Sequence, residues 1–147
     1  MDKEIAVYTD GSCVSGKGGY CAIIRNGKSQ RILCGSVPNS TINRTELTAV
    51  IKGLSAVPCG SSVTVYTDSA YVERAINEGR LTAWQKNGWH RIRTGAPVQN
   101  ADCWLELSRV IHDARLETKF VKLKAHKGHY FNDCADRLAR QAARQRN

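Results

Sequence analysis

Two short stretches of this chain share a pattern, Val7-Tyr8-Thr9-Asp10-Gly11 and Val65-Tyr66-Thr67-Asp68-Ser69. Each reads as a β-favouring run that ends on an aspartate followed by a small residue. If the two runs are parallel neighbours, about 4.8 Å apart, Asp10 and Asp68 lie side by side at the carboxyl end of a sheet, where α/β proteins place their sites. Two carboxylates held together repel unless a cation joins them. Magnesium, a hard divalent ion that prefers oxygen ligands, suits that role. Either aspartate alone reads as a cap for the turn or helix after its strand; the matched pair is what favours a metal. Glu46, beside Val50 at the edge of an apolar helical stripe, is the candidate third carboxylate. By itself it reads as a surface charge or as a capping-box partner of Asn43 rather than as a ligand.

A fourth group lies near the C-terminus, from Lys124-Ala125-His126-Lys127-Gly128-His129 through Asn132, Asp133 and Asp136. A glycine-containing loop with two histidines here opens a helix. Asp133 and Asp136, three residues apart, share a face near its positive end, a favourable place for negative charge whatever their role. A loop histidine beside clustered carboxylates suits proton transfer near neutral pH, although His126 and His129 also read as ordinary surface residues. Between residues 79 and 101 the chain carries Arg80, Lys86, Arg91 and Arg93, together with His90, Trp84 and Trp89, and no Asp or Glu. Cations serve phosphates and flat rings serve sugars or bases. The plainer alternatives are a solvated basic face and tryptophans that anchor a helix on the core.

The elements that must position these residues follow from periodicity and turn chemistry. Strands are expected at 5–9, 20–25 and 28–34, with a glycine-rich turn at 15–19 and a hairpin at Asn26-Gly27. Leu47, Val50, Ile51 and Leu54 predict a helix over 44–56, stopped by Pro58 and Gly60. A strand at 63–67, helices at 71–77 and 102–117, a strand at 119–124 and an alanine-rich helix at 132–143 complete the order βββ-α-β-α-α-β-α. That order implies one α/β domain spanning residues 1–147. Its five-stranded mixed sheet has three antiparallel strands, then two parallel additions, with helices on both faces.

Composition is that of a globular protein with a polyanionic partner, nucleic acid or an acidic membrane surface, and does not choose between the two. The 147 residues hold 22 Lys+Arg against 13 Asp+Glu, a net charge of +9, and are 41% hydrophobic. So basic a balance calls for a polyanion. A membrane-surface protein would need an amphipathic basic helix, whereas the basic segment carries Gly88, Gly95 and Pro97. There is no leader-like apolar run after the first residues and no stretch of membrane-spanning length, so no membrane partner is expected. The six cysteines (Cys13, Cys21, Cys34, Cys59, Cys103 and Cys134) form no Cys-x-x-Cys pair. They read as reduced thiols of a cytoplasmic protein, most of them buried.

Taken together, Tyr8 to Ser12, Asn43 to Leu47, Tyr66 to Val72 and Lys124 to Asp136 resemble the type 1 ribonuclease H family, bacterial-type in carrying a basic protrusion over about 80–100. The likeness extends from Ile5 to about Ala142. It implies an endonuclease that cuts the RNA strand of RNA/DNA hybrids and removes RNA primers and R-loops, acting as a monomer. It also implies Asp10, Glu46, Asp68 and Asp136 as ligands of two Mg2+ ions, with Mn2+ a possible substitute. His126 would serve proton transfer or product release. The chemistry would be in-line attack by metal-activated water, leaving 5′-phosphate and 3′-hydroxyl ends. Gly11, Ser12, Thr41, Asn43, Trp84, Lys86, Trp89, Arg91 and Arg93 would contact the hybrid, and Trp104 also falls on a matching position. A non-enzymatic binder of the same fold would be favoured by loss of any one carboxylate, and all four are present. Resolvase and transposase cores match the His-Lys-Gly-His loop less closely.

The chain departs from the family pattern in three places. The loop at 13–19 is short and lacks an Asn-Pro pair, Ile42 stands where an asparagine is usual, and Ala70 where a glutamine is usual. Activity is expected to survive, with weaker hybrid affinity or altered cleavage preference, and with 2′-hydroxyl sensing resting on Gly11, Ser12 and Asn43. Ile42→Asn with Ala70→Gln should tighten hybrid binding about fivefold, the worth of one net hydrogen bond of about 1 kcal/mol. An unchanged titration curve and an unchanged cleavage pattern would show that the departures are silent.

Overall fold

The computed structural model describes residues 4–124 and 129–145. Three antiparallel strands open the chain: β1 (Glu4–Val14), β2 (Lys17–Asn26) and β3 (Ser29–Val37). Helix α1 (Ile42–Ser55) leads to β4 (Ser62–Thr67). Then α2 (Ala70–Asn77), α3 (Arg80–Lys86) and α4 (Ala101–Asp113) precede β5 (Glu117–Lys122) and α5 (Tyr130–Arg144). The sheet order is β3-β2-β1-β4-β5, with β4 parallel to both β1 and β5. The five-stranded mixed α/β architecture expected from the sequence is therefore the one observed.

Several boundaries differ from expectation for identifiable reasons. Strand β1 does not stop at Asp10 but continues to Val14, because β2 still pairs with it there after β4 has ended. The glycines at 18 and 19 are not turn residues. They lie in β2 opposite Cys13 and Ser12, and the turn itself is Ser15-Gly16, both with positive φ (52° and 81°). The second hairpin turns at Gly27-Lys28, one residue later than the Asn-Gly signal suggested. Helix α4 stops at Asp113 rather than Glu117, where Arg115 adopts φ 53°. Helix α3 was not anticipated: it buries no residue and starts after Gly79, which offers no capping side chain, so neither periodicity nor a cap announces it.

Two cores flank the sheet. On one face Val7, Leu47, Val50, Leu54, Val65, Trp104 and Leu107 are fully buried between β1, β4, α1 and α4. Alternation puts Tyr8, Cys21 and Ile23 on the other face, under Ala135 and Ala139 of α5. Small residues set how closely that helix approaches. A Cβ on Gly19 would stand 2.2 Å from the Ala139 carbonyl oxygen and 2.2 Å from the Ala143 nitrogen. Backbone, unlike a flexible side chain, cannot step aside, so α5 must lift away. Gly19→Ala should lower unfolding free energy by roughly 3 kcal/mol, measured by urea denaturation; a loss under about 0.5 kcal/mol, the range of a neutral surface change, would refute the close approach.

Candidate metal centre and adjoining groove

The parallel pairing of β1 with β4 is in the register that the repeated pattern implies, with Val7 opposite Val65 and Tyr8 opposite Tyr66. Asp10 and Asp68 thus leave neighbouring strands at the same level. Neither caps a helix: Asp10 lies within β1, and α2 is capped by Ser69, whose hydroxyl accepts the Val72 amide. Helix α1 supplies the third carboxylate. It begins at Ile42 with Thr41 as its cap, the Thr41 hydroxyl accepting the Arg44 amide at 3.3 Å. Asn43 is therefore not the cap, and Glu46 is not a surface charge but a buried residue at 5% exposure.

Oxygens of Asp10, Glu46 and Asp68 lie within 4.8 Å of one another. Gly11 makes the approach possible, since a Cβ there would stand 2.7 Å from the Glu46 backbone nitrogen. Its amide donates to Asp10 Oδ1 (2.9 Å) and to Glu46 Oε1 (3.2 Å). The other oxygens, Asp10 Oδ2 and Glu46 Oε2, are buried without a hydrogen-bond partner among the described residues. Such atoms are costly to leave unmade. Hard anionic oxygens gathered this closely match the ligand preference of a divalent cation such as Mg2+ or Mn2+, and the donor set fits one.

Asp136, on α5, is near enough to Asp10 to act on its charge but falls outside that close trio. Its Oδ2 accepts from Arg140 Nη2 at 2.6 Å, one helical turn on. Asp133 is exposed in the first turn of α5 and does not converge on the cluster. His126 lies outside the described residues. Asn132, which the sequence had singled out only as a helix opener, is buried at 2%, and its Oδ1 has no hydrogen-bond partner among the described residues.

Crowding has an electrostatic signature. Burial first, then the charge of Asp68, pushes Asp10 up to about 8, with Asp136 adding to the push. Burial, Asp10 and Asp68 hold Glu46 well above the ordinary carboxylate range, against the pull of the Gly11 amide.

Beside the cluster runs a groove of about 480 Å3 lined by Asn43, Tyr71, Arg74, Arg80, Trp84 and Arg91 among others. It adjoins the carboxylates through two short connections: Asn43 lies three residues before Glu46 on α1, and Ala70, also in the lining, two after Asp68. Of the residues expected to bind nucleic acid, Asn43, Trp84 and Arg91 share this groove. Arg93, Lys86 and Thr41 are exposed outside its lining, Trp89 is half-buried against the core, and Gly11 and Ser12 sit in β1. The tryptophans serve the core as well as the surface. Trp104 is fully buried, its indole donating to the Tyr71 hydroxyl at 3.0 Å, and Trp84 packs 5.6 Å from it. Arg74 was not anticipated, being separated from the basic segment by Glu78, which lies between it and Arg80. Helical spacing from Tyr71 was the only available signal.

A carboxyl whose folded value lies above its unfolded one holds its proton more tightly when folded. The stability that Asp10 contributes is thus complete below about pH 4 and is lost as pH rises through about 8. Without divalent metal at pH 9, Asp10→Asn should raise Tm by about 3 °C or more, the shift that roughly 1 kcal/mol produces in a domain this size. The gain should shrink towards pH 4 and on adding magnesium. An equal gain at every pH would mean that charge repulsion is not its source.

Comparison with known proteins accords with this geometry. The family model described as RNase H matches residues 2–144. The ribonuclease H of Caldicellulosiruptor saccharolyticus is 40% identical over 145 residues, 97% of this chain and 98% of that protein. A crystal structure of a type 1 RNase H with the type 2 active-site motif superposes with TM-score 0.79 at 27% identity, covering 97% of this chain and 73% of the other. A crystal structure of an RNase H1 in complex with an RNA/DNA hybrid shares the fold at TM-score 0.68 and 16% identity, over 95% of this chain and 96% of that one. This chain belongs to the ribonuclease H family and is a hydrolase acting on nucleic acids.

Proposed function

We propose that this protein is an endonuclease that hydrolyses the RNA strand of RNA/DNA hybrids by two-metal-ion catalysis, leaving 5′-phosphate and 3′-hydroxyl ends. The observation that carries the reading is the close trio of buried Asp10, buried Glu46 and half-buried Asp68, two of whose oxygens have no hydrogen-bond partner among the described residues, beside an arginine-lined groove. Cleavage of RNA in hybrids is the activity of the family, and the structural relative bound to a hybrid supports that substrate. Removal of RNA primers and R-loops in the cytoplasm is the corresponding role, performed by a monomer built as a single domain with its basic protrusion over about 80–100.

Asp10, Glu46, Asp68 and Asp136 would hold the ions, Mg2+ in preference and Mn2+ as substitute. When bound, such ions neutralise charge on the attacking and leaving oxygens of an in-line displacement. The protein's own share is positioning. Gly11 orients Asp10 and Glu46 through its amide. Asp136 joins from α5 at the expense of its contact with Arg140, and His126 moves a proton or helps release product. The groove takes the hybrid backbone, with Arg80 and Arg91 on phosphates, assisted at its margin by Lys86, Trp89 and Arg93. Gly11, Ser12 and Asn43 face the 2′-hydroxyls that distinguish RNA, and Thr41 contacts a phosphate.

The decisive assay is cleavage of labelled hybrid with magnesium, with RNA/RNA and DNA/DNA duplexes as controls. Only the RNA strand of the hybrid should be cut, and Asp10→Asn or Asp68→Asn should lower the rate by roughly a thousandfold, about 4 kcal/mol of barrier. Arg91→Ala should instead raise KM and flatten the salt dependence of binding by about one phosphate contact. Tight hybrid binding with no cleavage in either Mg2+ or Mn2+ would replace this reading with a non-catalytic binder.

A further inference from the structure

Cys21 and Cys34 are thirteen positions apart in sequence yet face each other directly across the β2–β3 ladder. Their sulfurs are 2.9 Å apart. The two differ sharply in surroundings: Cys34 is exposed on the edge strand, while Cys21 is buried beneath α5 with Ile23, Ala135 and Ala139. Directly opposed residues of antiparallel strands have Cα atoms about 4.5–5.5 Å apart, inside the range of about 4.4–6.8 Å that a disulfide spans. Sulfurs already in contact need to close by less than about 1 Å to reach the bond length of about 2.05 Å. Scattered spacing had made all six cysteines read as ordinary reduced thiols. Only the ladder register brings these two together.

We propose that Cys21 and Cys34 are a reversible dithiol–disulfide couple, oxidised through the exposed Cys34 and resolved by the buried Cys21. The oxidant is a low-molecular-weight disulfide such as glutathione disulfide. The Cys34 thiolate attacks one of its sulfurs, forming a mixed disulfide and releasing one glutathione thiolate. Cys21 then gives up its proton and attacks the Cys34 sulfur, releasing the second glutathione thiolate. In sum, two protein thiols and one glutathione disulfide become one protein disulfide and two glutathiones. The couple sits one strand away from the acidic cluster, since Cys21 is also the β1–β2 ladder partner of Asp10. Its formation does not depend on the nuclease reading.

The test is to equilibrate the full chain in glutathione buffers of graded oxidation, block free thiols by alkylation, and map the cysteines by intact and tryptic mass. The expected product is two hydrogens lighter, with the Cys21 peptide joined to the Cys34 peptide, and it reverts fully in dithiothreitol. Cys34→Ser, a change at an exposed position, should abolish that product and leave Cys21 unmodified under its helix. A stable glutathione adduct on wild-type Cys34 without cross-linking would overturn the proposal. So would a Cys34→Ser protein that still loses two hydrogens.

Discussion

Three carboxylates gathered within 4.8 Å, two of them buried, repel one another, and the rest of the molecule is arranged to hold them there. Charges in such surroundings either take up protons or take up a cation. The raised proton affinity of Asp10 and Glu46 records the first response. The hydrophobic packing of α1 against β1 supplies the restraint, through Leu47, Val50 and Leu54 on the same helix as Glu46. Stability is given up locally so that a divalent ion has somewhere to bind.

Glycine is the structural counterpart of that strain. Gly11 lets the α1 backbone come so near β1 that Glu46 reaches Asp10, and Gly19 does the same for α5, which carries Asp136. The two helices approach the sheet from opposite faces at the end where β1 outruns β4. Close packing at two backbone positions therefore sets the dimensions of the acidic site, and each side chain there inherits its place from it. The groove shares this economy, for Tyr71 and Trp84, which line it, both pack at a tilt against the buried Trp104 and so belong to the core as well.

Much of this was readable before folding. The repeated Val-Tyr-Thr-Asp pattern predicted two parallel strands bearing adjacent carboxylates, and the Tyr8–Tyr66 register bears it out. The 3.6-residue spacing of Leu47, Val50, Ile51 and Leu54 placed α1 because that spacing is the cause of its burial. Elements that bury nothing escaped notice, as α3 did. Thr41 rather than Asn43 caps α1, because a cap is chosen by backbone geometry among several eligible residues.

Strand pairing and the juxtaposition of Asp10 with Asp68 are pattern-borne properties, so residue types and spacing were enough to anticipate them. Burial and proximity are not local. Whether Glu46 is a solvated charge or a buried carboxylate, whether Gly18 and Gly19 turn the chain or admit a helix, and whether Cys21 meets Cys34 all depend on segments distant in sequence. Those answers required the packed fold, because desolvation and contact arise only once separate elements occupy the same space.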